Sequence, residues 1–67
     1  MKYYVAYERG DRNWSAYAPD LPGVAVTGRD RNECRELIKD AIKMQLEGLR
    51  EDGLEFPEPS GEFIEVA

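Results

Sequence analysis

The sequence predicts an α+β fold of order βββαβ: an antiparallel three-stranded meander, one long helix and a C-terminal strand. Three observations predict it. The stretch from Asp30 to Asp52 is amphipathic with helical spacing. Ahead of it stand three short runs rich in aromatic and β-branched residues, each closed by turn-forming residues. Behind it, Leu54 to Ser60 carries Pro57 and Pro59, and the apolar–acidic run Glu62 to Val66 follows. A chain of 67 residues makes one domain, 1–67.

Residues 2–8, Lys-Tyr-Tyr-Val-Ala-Tyr-Glu, have the composition of a first strand. Arg9 to Asn13 is a polar turn containing Gly10, and residues 14–18, Trp-Ser-Ala-Tyr-Ala, form the returning strand. Pro19 ends that strand and keeps Ala18 extended. In Asp20-Leu21-Pro22-Gly23, Pro22 presets its φ and Gly23 supplies the positive φ of a type II turn. Val24 to Thr27 is a short third strand, stopped by Gly28.

The helix has its ends written in sequence. Asp30 is the N-cap, and Glu33 stands at the reciprocal position of a capping box. Gly53 occupies the place of a left-handed C-cap residue. Cys34, Leu37, Ile38, Ala41, Met44, Gly48 and Leu49 recur at three- and four-residue steps and so share one face. The helix is roughly 33 Å long, enough to cross a small sheet. A right-handed crossover then places the last strand, 62–66, parallel to the first, in sheet order 3-2-1-4.

Composition excludes several functions. Histidine is absent, so neither histidine-based acid–base chemistry nor a cysteine–histidine metal cluster is available. Cys34 is the single cysteine and falls on the apolar helix face, where it is a small core residue. Without a disulfide or a metal, so small a domain draws stability from self-association or a partner. Met1-Lys2-Tyr3-Tyr4-Val5 passes straight into strand-like sequence rather than a signal peptide, and no apolar run approaches the ~20 residues of a membrane span. A cytoplasmic, soluble protein is the expectation. The net charge of −5 opposes non-specific binding to nucleic acid and suits a basic protein partner, or simply solubility.

Fourteen acids could in principle hold a divalent metal. Their placement argues against it. Glu33, Glu36, Asp40, Glu47 and Glu51 flank the apolar stripe as solvated charge, with Glu36–Lys39, Asp40–Lys43 and Lys43–Glu47 as helix neighbours. Asp20 beside its turn is a turn-capping residue before it is a ligand. Arg31, Arg35, Lys39 and Lys43 run along one ridge, and the adjacent acids make that ridge a salt-bridged surface rather than a phosphate site. From Glu47 onward, Glu47, Glu51, Asp52, Glu55, Glu58, Glu62 and Glu65 face Arg50 alone, an acidic third suited to a basic surface or to an inert edge. No cofactor is expected.

One helix covers one face of a sheet, yet the first two strands carry Tyr3, Tyr4, Tyr7, Trp14 and Tyr17. Strand neighbours point to opposite sides, so Tyr3 and Tyr4 diverge and some aromatic surface stays uncovered. Such surface marks a protein contact, although tyrosines also tolerate partial exposure.

The string Trp14-Ser15-Ala16-Tyr17-Ala18-Pro19-Asp20-Leu21-Pro22-Gly23 resembles the signature of HicB-like antitoxins. So do the helix end Leu46-Glu47-Gly48-Leu49-Arg50-Glu51-Asp52-Gly53 and the following Pro57-Glu58-Pro59-Ser60. The resemblance implies a partial ribonuclease-H-like fold and an antitoxin of a type II toxin–antitoxin module. It also implies a partner: HicA, a small basic endoribonuclease with a double-stranded-RNA-binding-domain-like fold and a catalytic histidine, which such antitoxins bind and block. Longer members carry a C-terminal DNA-binding domain. This chain resembles a short form without it, so direct DNA binding is not expected. It departs from the family at Val24, often a cysteine, and at Gln45, often a larger residue, where a packing gap or an interface is implied.

The expectation is a non-enzymatic binding protein, forming a homo-oligomer (dimer or tetramer). The partner-binding candidates are Trp14, Tyr17 and Asp20, with Glu55 and Glu58 as an acidic arm. Two readings compete: an orphan HicB-like oligomeric scaffold or small-ligand-binding domain without a toxin, and a metal-dependent ribonuclease-H-like hydrolase, for which no activity is expected.

Overall fold

In the computed structural model of the chain, the described residues are 2–58, 61, 62 and 64–66. They form three strands, β1 (Ala6–Arg9), β2 (Trp14–Tyr17) and β3 (Ala25–Gly28), and one long helix, α1 (Arg31–Glu51). The strands pair antiparallel in the order β1-β2-β3, the expected meander. The architecture is α+β, with α1 packed on β3 and β2.

The turns form as their residues dictate. Gly10 N–H donates to the Asn13 carbonyl at 2.7 Å and closes the first hairpin. Val24 N–H donates to Leu21 O at 3.1 Å, with Gly23 at φ 83°, so Leu21-Pro22-Gly23-Val24 is the type II turn the Pro-Gly pair demands. A second turn, closed by Leu21 N–H on Ala18 O at 3.0 Å, precedes it, and Ala18 N–H donates to Val24 O at 3.1 Å across the loop mouth.

The helix ends where expected. Asp30 Oδ1 accepts from Glu33 N–H at 2.8 Å. The reciprocal bond is displaced by one residue: Glu33 Oε1 accepts from Arg29 N–H at 2.9 Å, and the Arg29 guanidinium grips Oε2. At the other end Gly53 (φ 72°) donates to Arg50 O and Leu54 to Leu49 O, at 3.1 and 2.9 Å, a Schellman motif.

Two expectations change. The first strand, expected over 2–8, pairs only from Ala6, because Ala6 stands opposite Tyr17, the last residue of β2. Beyond Tyr17 the chain turns away at Pro19, and Lys2 to Val5 lose their ladder partner. The strand expected over 62–66 is not formed by the described residues there: Glu62, Ile64, Glu65 and Val66 are in no strand, and Phe63 lies outside them. Ile64 and Val66 are instead exposed. A short parallel pairing to a four-residue strand offers few hydrogen bonds against the entropy of ordering the tail. The order 3-2-1-4 is therefore 3-2-1 among the described residues.

The core is small: Ala16, Ala18, Leu21, Val24, Cys34 and Ile38. Cys34 is fully buried, the core role its position implies. Around these pack Tyr3, Val5, Tyr7, Trp14, Val26, Ala41, Ile42 and Leu46, all half-buried. At Gly28 a Cβ would come within 3.1 Å of Cys34 Sγ, so the end of β3 abuts the helix start closely.

Candidate interaction surface

Cross-strand register sorts the sheet residues into two faces. Tyr7, Ala16 and Val26 are direct partners and face the helix, with Trp14 two residues along on the same side. Ala6, Tyr17 and Ala25 are likewise direct partners and face away, beside a polar row of Glu8, Ser15 and Thr27. The outward face thus presents Tyr17, 45% exposed, between two alanines. Tyr3 and Tyr4 diverge although both lie ahead of β1. Tyr3 packs on the core and its hydroxyl donates to Pro57 O at 2.6 Å, whereas Tyr4 is 51% exposed.

The five candidates do not share one surface. Trp14 is half-buried on the helix side and Tyr17 is exposed on the opposite side. An odd separation along one strand makes that unavoidable. Asp20 is half-buried in the loop after β2, where it is engaged within the chain. Glu55 and Glu58 are exposed on the arm that follows α1, and Tyr3 ties that arm down at Pro57. Phe56, half-buried on the arm, faces Lys43, Leu46, Glu47 and Arg50 of α1 across a hollow of about 350 Å³.

A second groove, about 200 Å³, runs between β1 and α1 and is lined by Val5, Tyr7, Ile38 and Ile42 with Arg35 and Lys39 at its rim. Arg31 adds to this basic flank, its guanidinium 4.3 Å from the centre of the Tyr7 ring. The spacing of Arg31 and Tyr7 in sequence carries no hint of this contact, which depends on how the helix lies.

Spacing alone gives no sign that the opposite flank of α1 is a surface. Leu37 and Met44 belong to the apolar stripe by spacing, yet they are 41% and 73% exposed. The apolar arc of the helix is wider than the strip of sheet beneath it. The sheet takes Cys34 and Ile38 fully, with Ile42 and Leu46 beside them, and leaves Leu37 and Met44 outside. Gln45 is exposed as well, so its small size leaves no gap in the core.

Charge on the helix is segregated rather than paired. Among the described residues the ion pairs are Arg29–Glu33 at 2.8 Å and Arg35–Glu36 at 3.5 Å, and not the three helix pairs that spacing suggests. Glu33 is held below the usual carboxylate range, first by the Arg29 side-chain hydrogen bond and then by the Arg29 backbone N–H; Glu33 in turn raises Arg29. Among the described residues no three His, Cys, Asp or Glu side chains come together to hold a metal ion. No helix among them is long and apolar enough to cross a membrane.

Residues 3–65 match the family described as the HicB-like antitoxin of bacterial toxin–antitoxin systems. Antitoxin HicB 2 of Photorhabdus laumondii subsp. laumondii is 35% identical over 69 residues, aligned with 98% of this chain and 50% of its own length. The chain therefore spans about half the length of that relative. No solved structure matches. The match across residues 3–65, joined to a relative of this identity, places the chain in the HicB-like antitoxin family of bacterial toxin–antitoxin systems.

Proposed function

We propose that the chain is an antitoxin that binds and blocks a small, basic, HicA-like endoribonuclease in the cytoplasm, acting as a stoichiometric mask without chemistry of its own. The observation that carries this reading is the family match over residues 3–65. Physical features support it. Blocking a nuclease requires only buried area and complementary charge. An interface of ordinary size takes about 800 Å² from each partner, a modest part of the 5744 Å² accessible here. Exposed apolar side chains, Leu37 and Met44 among them, and helix carboxylates that stand in no ion pair among the described residues supply both ingredients, and the net charge of −5 favours a basic partner. Self-association into a dimer or tetramer and the partial ribonuclease-H-like fold belong to the same reading.

Co-expression with the protein encoded by the neighbouring reading frame tests it. The reading expects growth arrest by that protein alone, rescue by this chain, and recovery of both in one complex. Arrest without rescue, or rescue without a complex, would contradict it.

A further inference from the structure

The flank of α1 that faces away from β1 is the most exposed apolar feature on the helix. Arg35 and Lys39 line the β1 groove. At 100° per residue, Leu37, Ala41, Met44 and Gly48 therefore fall on the other side. They follow one another by four, three and four residues, a ridge of about 16 Å. Asp40 and Glu47 stand three residues beyond Leu37 and Met44, adjacent to the ridge on its solvent side. Both are exposed, and neither is in an ion pair among the described residues.

Gly48 makes the ridge more than a stray patch. A glycine inside a helix is unfavourable relative to alanine. Here the backbone is helical, and a Cβ would meet nothing within 4 Å among the described residues. Packing within the described chain thus gives no reason for the missing side chain. Space without an internal occupant, next to an exposed Met44, suits close approach by something outside the chain.

The charges decide what approaches. A second copy laid antiparallel along the ridge would set Asp40 and Glu47 against the same residues of its partner, and like charges repel. A cationic surface with apolar side chains at its centre meets no such penalty. We propose that the Leu37–Ala41–Met44–Gly48 ridge, with Asp40 and Glu47 beside it, is the docking surface for the basic toxin, which seats an amphipathic Lys/Arg-bearing segment there. The proposal rests on the antitoxin reading and assigns its contact to the helix flank instead of the Trp14–Tyr17–Asp20 segment.

The test uses the full chain and the protein of the neighbouring reading frame, with affinity measured at low and high salt. Asp40→Lys with Glu47→Lys is expected to weaken binding by about tenfold or more and to flatten its salt dependence. Gly48→Leu is expected to raise the melting temperature of the free chain while weakening binding to a similar degree, an outcome that misfolding does not produce. Tyr17→Ala is expected to bind as the unaltered chain does. If the ridge variants bind within about twofold of the unaltered chain and Tyr17→Ala does not, the contact lies on the sheet; the ridge assignment is overturned and the antitoxin reading stands. If Met44→Asp converts a homodimer to a monomer, the ridge belongs to a second copy and the proposal falls. If the unaltered chain does not bind that protein at all, the antitoxin reading fails and takes the ridge assignment with it.

Discussion

Asp30, Arg29 and Glu33 together fasten the start of α1, and each does a different job. Asp30 accepts from an orphan amide, Glu33 accepts from the residue before the cap, and Arg29 holds Glu33 in place. Replacing Asp30 by alanine is expected to cost ~1 kcal/mol, which lowers the melting temperature of so small a domain by about 4–8 °C. Thermal denaturation followed by circular dichroism measures it. Glu33 carries a pH signature. Its folded value lies below the ordinary carboxylate value. Its contribution is therefore complete above the ordinary carboxylate range and is lost as pH falls through the lower, folded value. An NMR titration of the Glu33 carboxyl should show a depressed midpoint that returns to the ordinary range in Arg29→Ala. The cap at Asp30, the turn at Pro22-Gly23 and the left-handed Gly53 were all legible in sequence, because each depends on its nearest neighbours alone. The role of Arg29 was not, since a capping box points Glu33 at the cap residue and the arginine draws it one residue further.

At the scale of elements, the helix and three strands follow from spacing and turn residues, and the fourth strand does not form among the described residues. Local pattern establishes that Glu62 to Val66 can be a strand. Whether it pairs depends on what the β1 edge offers in return, and a four-residue strand offers little. The helix face shows the same division. Spacing groups Leu37 and Met44 with Cys34 and Ile38, but the width of the sheet decides which are covered. Ile38→Ala should cost about 2–5 kcal/mol, enough to unfold a marginal domain. Met44→Ala should stay within about 0.5 kcal/mol of the unaltered chain. Urea denaturation of the two variants checks the pair, and equal losses would mean that Met44 is covered. The candidate site suffered from the same gap. Trp14 and Tyr17 are close in sequence, but strand alternation puts them on opposite faces.

Over the whole molecule, a small core is joined to surfaces of distinct character. The outward sheet face is polar, with Glu8, Ser15 and Thr27 beside Tyr17; one helix flank is basic, with Arg31, Arg35 and Lys39 beside β1; the other is apolar and acidic. The net charge of −5 conceals that division, and no single-residue count in the sequence reveals it. Family membership motivates the proposed partner, and the surfaces bear on how the chain would hold one. The central claim is that the chain silences a nuclease by covering it. The most direct measurement is RNA cleavage by the purified neighbouring protein while this chain is added in increasing amounts. Cleavage falling linearly to nothing near an equimolar ratio is the predicted result. Cleavage that persists with the chain in excess, or RNA turnover by the chain itself, would contradict it.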